Sequence, residues 1–71
     1  MKRFEYLVRS DLHGAAEDAS RSFGGKERQR LAAYTSFIAA ELNKLGAEGW
    51  ELIQAPDNLS NFNWIFKRPL A

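Results

Sequence analysis

The chain contains no cysteine, so neither a disulfide nor a thiolate metal site can hold it together. It has one histidine, which excludes the histidine clusters that bind zinc. No cofactor is expected. No run of apolar residues approaches the roughly 20 that a membrane span requires. Neither sign of charge dominates: ten basic residues face nine acidic ones, for a net charge of +1. A balance of this kind exerts no general pull toward nucleic acid or an anionic membrane. The opening "MKRFEYLVRSD" is basic, but it leads into no apolar signal core and no small-residue cleavage site. Together with the missing cysteines, which fit a reducing compartment, these absences lead us to expect a soluble, cytoplasmic protein with no membrane association.

What the chain does have is aromatic residues: five Phe, two Tyr and two Trp in 71 residues. This length allows a single domain, residues 1–71, with no room for a second core. A chain this short buries only about 60–65% of the surface its unfolded form exposes. Without disulfides or metal, stability must come from a dense core or from a partner chain. The aromatic content favours the dense core.

Three segments alternate with period two and read as strands. In "KRFEYLVR", Lys2 to Arg9, Phe4, Tyr6 and Val8 share one face, while Arg3, Glu5, Leu7 and Arg9 share the other. "GWELIQA", Gly49 to Ala55, and "FNWIFKR", Phe62 to Arg68, follow the same pattern. Pro69 ends the last of them because it has no N–H to give to a ladder. "PDNLSN", Pro56 to Asn61, has the composition of a turn. Between the first two strands, "KERQRLAAYTSFIAAELNKLG" places Leu31, Tyr34, Ile38, Leu42 and Leu45 on one helical stripe flanked by Phe37. The stretch 10–27 is rich in Gly, Ser and Asp and reads as a mobile loop or a short helix stopped by Gly24-Gly25.

The expected architecture is therefore α+β, in the order β-α-β-β. It has a three-stranded, mainly antiparallel sheet and one main helix packed on one face. A right-handed crossover would make the first two strands parallel, with the third between them and antiparallel to both. "LGAEGWEL" reads as the corner from helix to strand: Gly46 caps the helix in a left-handed conformation, and Gly49 relieves the backbone. A phosphate loop is the wrong reading, because these glycines follow a helix C-terminus, where the partial charge is negative.

"KRFEYLVR", "ELNKLGAEGWELI" and the closing "FKRPL" resemble a family of short bacterial and phage domains of unknown function. Its members open with a strand like "YEYKVV", continue with "LNELGAEGWELV" after a helix, and end in "FKR". The resemblance covers Lys2–Arg9 and about Ala40–Leu70. The 10–27 insert is longer than the family pattern. The resemblance implies a fold rather than an activity, and it carries over no catalytic residue.

The residues offer little catalytic chemistry. His13 in "DLHG" has only Asp11 nearby in sequence, whereas a general base needs a positioned partner and a pocket. No serine sits in a nucleophile elbow. The spacing of Asp11, Glu17 and Asp18 does not match a calcium loop. A non-enzymatic role is expected. If the helix covers the aromatic face of Phe4, Tyr6, Trp50, Phe62, Trp64 and Phe66, then Leu7, Ile53 and Ile65 point outward. They would form a small apolar centre rimmed by Arg3, Glu5, Arg9, Glu51 and Lys67. Such a patch has the composition of a protein interface. The expectation is a small interaction module that forms a homodimer or larger assembly, or serves as an accessory subunit. The alternative is nucleic-acid binding or a regulatory role through the basic helix start Lys26, Arg28 and Arg30 and the open sheet face, where Arg3, Arg9 and Lys67 are expected, with Arg68 at the strand end.

Overall fold

A computed structural model describes residues 2–57 and 61–70. The chain runs as β1 (Phe4–Arg9), α1 (Leu12–Ser20), a 3₁₀ turn (Arg21–Phe23), α2 (Glu27–Ala47), β2 (Glu51–Gln54) and β3 (Trp64–Pro69). The sheet order is β1-β3-β2, with β3 antiparallel to both neighbours. The α+β class and the central position of the last strand agree with the sequence reading. The 56–61 turn lies partly outside the described residues.

The 10–27 segment is more ordered than a loop. Leu12 and Ala16, four residues apart, are fully buried, and this one-sided apolar spacing folds residues 12–20 into a helix against α2. Leu12, Ala16 and Ile38 form a buried cluster, with Tyr34, Phe37, Leu42 and Trp64 packed against it. Leu31 stays exposed at 60%, so the stripe of α2 is covered only from Tyr34 onward. Among the described residues, Leu45 and Phe66 are the other buried apolar side chains.

α2 continues through Gly46 to Ala47, with Glu48 as its C-cap. The Trp50 amide donates to the Leu45 carbonyl at 3.0 Å, and the Gly49 amide donates to the Gly46 carbonyl at 2.9 Å. This paired pattern is a Schellman motif with Gly49 as its left-handed residue, at φ 92°. Gly46 is an ordinary helical residue, which corrects its expected role as the cap, while Gly49 relieves the backbone as expected.

The sheet also differs from expectation in which face the helices cover. Directly opposed residues of an antiparallel pair share a face. Leu7 lies opposite Phe66, Arg9 opposite Trp64, and Glu5 opposite Arg68. The even-numbered residues of β1 therefore share a face with the odd-numbered residues of β3. Phe66 is buried at 1% exposure, so its face is the one packed on helix. Phe4, Tyr6 and Val8 lie on the open face, at 36%, 62% and 56% exposure. Register by one residue decides the face of a whole strand, and here it separates the two aromatic sets that composition alone would merge.

The fold is open for its size. Its accessible surface is 5344 Å², against about 4500 Å² for a compact monomer of this mass. Its radius of gyration is 14.2 Å, against about 11 Å for a compact chain of this length.

Candidate functional site

The open sheet face is built by alternation. Phe4, Tyr6 and Val8 of β1 project from it, beside Ile65 and Lys67 of β3. Glu51 of β2 lies opposite Lys67, and Gln54 opposite Ile65 across an irregularity in the β2–β3 register. Ile53, skipped by that irregularity, is 46% exposed. The Lys67 ammonium sits 4.8 Å above the Phe4 ring, a cation–π contact that keeps the long side chain against apolar surface. The result is an apolar strip with its charge at one end.

The expected interface residues divide between the two faces. Ile65, Glu51 and Lys67 share the open face. Leu7, Glu5 and Arg9 are half-buried on the helix side, a correction that follows from the β1–β3 register. Arg3 precedes β1 and is exposed, with its carbonyl accepting from the Leu70 amide at 2.9 Å. Leu7, Ile53 and Ile65 therefore do not form one centre, and Tyr6 and Val8 are the exposed apolar residues that the helix-covering assumption missed. The signal that locates them is strand register, which alternation within one strand does not carry.

The helix-facing charges are engaged within the chain. Arg9 holds Asp11 through two hydrogen bonds, at 2.7 and 2.8 Å, and lies 4.0 Å from Glu41 of α2. The Arg9 hydrogen bond holds the Asp11 carboxyl below its ordinary range, and the same bond raises the Arg9 guanidinium. Arg68 of β3 joins β1 to the corner between α2 and β2: it pairs with Glu5, donates to the Glu48 carbonyl at 2.9 Å, and stacks 4.3 Å over the Trp50 ring. A cation here also complements the negative end of α2.

His13 is not a solvated loop residue. It lies on α1, with Nδ1 2.7 Å from the Tyr34 hydroxyl and Nε2 2.7 Å from Glu17 Oε1. The Phe62 ring stacks on it at 4.6 Å and 13°. With the proton on Nε2, His13 donates to Glu17 and its Nδ1 accepts from the Tyr34 hydroxyl. Burial first, then the Glu17 charge, pushes the Tyr34 hydroxyl above its ordinary pKa. That shift disfavours a phenolate nucleophile, and the chain Glu17–His13–Tyr34 serves to tie α1 to α2. The i,i+4 spacing of His13 and Glu17 was legible, given a helix that starts early enough to include both.

Lys26, Arg28 and Arg30 are all exposed at the start of α2, with Glu27 among them. Among the described residues, no group of three or more His, Asp or Glu side chains is placed to hold a metal ion. No helix among them is long and apolar enough to cross a membrane. A cleft of about 400 Å³ runs between α2 and the β2–β3 connection, lined by Tyr34, Ile38, Leu42, Pro56 and Trp64 among others. The buried indole N–H of Trp64 finds no acceptor among the described residues.

Compared with protein families, curated proteins and solved structures, the chain matches none.

Proposed function

We propose that this protein is a small non-enzymatic interaction module that self-associates through the open side of strand β1. The observation that carries this reading is the exposure of Tyr6, Val8 and Phe4, beside the half-buried Ile65, on a sheet face with no covering layer among the described residues. Isolated exposed apolar residues need no explanation, but a contiguous strip of them does. The surface in excess of a compact monomer is of the order of 800 Å². That is about what one partner contributes to a standard protein interface. A second copy of the chain is the occupant this area fits, and a role as an accessory subunit of a larger assembly is compatible with it.

Nucleic-acid binding is the weaker reading. Of the basic residues expected on the open face, Arg9 turns to the helix side and binds Asp11, Lys67 lies beside Glu51, and Arg3 is exposed ahead of β1, while Arg68 at the strand end pairs with Glu5. The reading is tested by light scattering after size exclusion, over a range of protein concentrations and at low and high salt. A dimer that persists in high salt and is lost in Tyr6→Glu/Val8→Glu, with unchanged far-ultraviolet circular dichroism, is the expected result. A monomer of 8.1 kDa at every concentration refutes it.

A further inference from the structure

Strand β1 lies at the rim of the sheet and pairs with β3 on one side only. The hydrogen bond from the Leu70 amide to the Arg3 carbonyl identifies which residues aim their backbone at β3. Arg3 is one, and by the alternation of an unbroken antiparallel ladder so are Glu5, Leu7 and Arg9. The N–H and C=O groups of Phe4, Tyr6 and Val8 therefore point away from the sheet. No other described strand pairs with them. An unpaired row of this kind is a template for strand addition.

Two copies of β1 can meet only in certain registers. Outward-pointing groups must face outward-pointing groups, so each residue lies opposite one of the same parity. Two such registers keep most of the strand overlapped. Centred on Tyr6, the pairing sets Arg3 against the second copy's Arg9 at both ends, and Glu5 against Leu7. Centred on Leu7, it sets Glu5 against the second copy's Arg9, Tyr6 against Val8 and Leu7 against Leu7. Opposite charges and aromatic–branched pairs stabilise directly opposed positions, and like charges destabilise them. The second register also joins two existing charge networks, Arg68–Glu5 in one copy and Arg9–Asp11–Glu41 in the other.

We propose that a second copy of this chain adds to the free edge of β1, antiparallel and centred on Leu7, so that the two sheets become one. The inference rests on the self-association reading above and specifies its geometry. Tyr6 and the second copy's Val8 exchange backbone hydrogen bonds, and the reverse pair does the same. Their side chains, the two most exposed on the strand, cover each other on the open face. The apolar strips of both copies become continuous.

The absence of cysteine makes the test direct. At the centre of the pairing, the two Leu7 residues form a non-hydrogen-bonded pair with Cα atoms about 4.5 Å apart, within disulfide reach. Under mild oxidation, Leu7→Cys should give a disulfide-linked dimer on a non-reducing gel. Tyr6→Cys should not, although Tyr6 is the more exposed residue and would be favoured by random collision. Cross-linking of Tyr6→Cys instead of Leu7→Cys overturns the register. Because Leu7 is half-buried, a second variant, Tyr6→Pro, guards the test. It removes an outward N–H and no ladder bond to β3, and should weaken dimerisation about tenfold or more, since a symmetric dimer loses the bond twice. An unchanged dimer in Tyr6→Pro, or a wild-type dimer with no Leu7→Cys cross-link, overturns edge pairing while the self-association reading stands. A wild-type monomer overturns both.

Discussion

Replacing Arg68 by Ala removes a side chain that connects the first strand, the last strand and the end of the long helix. Its ion pair with Glu5 leaves 35% and 38% of the two side chains exposed, so solvent screening limits it to about 0.5 kcal/mol. The stacking of the guanidinium on Trp50, at a half-exposed site, adds about 0.5–1 kcal/mol. The charged donation to the Glu48 carbonyl at the helix C-terminus adds about 1 kcal/mol. All three contacts use one side chain, so the entropy of ordering it is lost once, and the sum is about 2 kcal/mol. For a domain of this size each kcal/mol shifts the melting temperature by about 4–8 °C, so Arg68→Ala should melt about 8–16 °C lower. Thermal unfolding followed by circular dichroism checks this, at one fixed protein concentration because association stabilises by mass action. Arg68→Lys keeps the charge but not the planar fork, and should recover less than half of the loss. A decrease under about 3 °C for Arg68→Ala, or full recovery by lysine, would refute this account of the junction.

The two glycines of "LGAEGW" should respond in opposite directions. Gly46→Ala places a good helix former where a Cβ meets nothing within 4 Å and should stabilise by about 0.5–1 kcal/mol. Gly49→Ala forces a Cβ onto a backbone at φ 92° and should destabilise by about 1–2 kcal/mol, both read from urea midpoints. Tyr34 predicts a pH dependence. Its folded pKa is raised above the ordinary value of 10.0, so the folded state holds the proton more tightly than the unfolded one. The associated stability is complete below pH 10 and is lost as pH rises through the folded pKa. Urea midpoints from pH 8 to 11 should fall more steeply for the wild type than for Tyr34→Phe, and identical slopes would contradict the shift.

The candidate surface was legible only in part, and the reason is geometric. Alternation within β1 identified Phe4, Tyr6 and Val8 as one set and Leu7 with its charged neighbours as the other. Choosing the buried set from composition placed Phe4, Tyr6 and Phe66 together under the helix. The β1–β3 register places Phe66 with Leu7 instead. The same register divides the interface residues: Ile65, Glu51 and Lys67 lie on the open face, and Leu7, Glu5 and Arg9 on the other. The surroundings of His13 are set by tertiary contacts in the same way. Its partner in sequence is Asp11, whereas its partners in space are Tyr34, Glu17 and Phe62, brought to it by the packing of α1 on α2.

Local information determined the elements themselves. Period-two alternation marked three strands, and a stripe at helical spacing marked α2. The glycine and tryptophan of "EGW" marked a corner, because only a residue without Cβ rests easily at a left-handed angle. These features depend on neighbours a few positions away, so one chain read in order contains them. Tertiary structure decided which sheet face is covered, that residues 12–20 form a helix, and which charges are engaged with one another. Each of these depends on contacts between residues distant in sequence. For the sheet, a shift of one residue in pairing reverses the outcome with almost no change in local propensity.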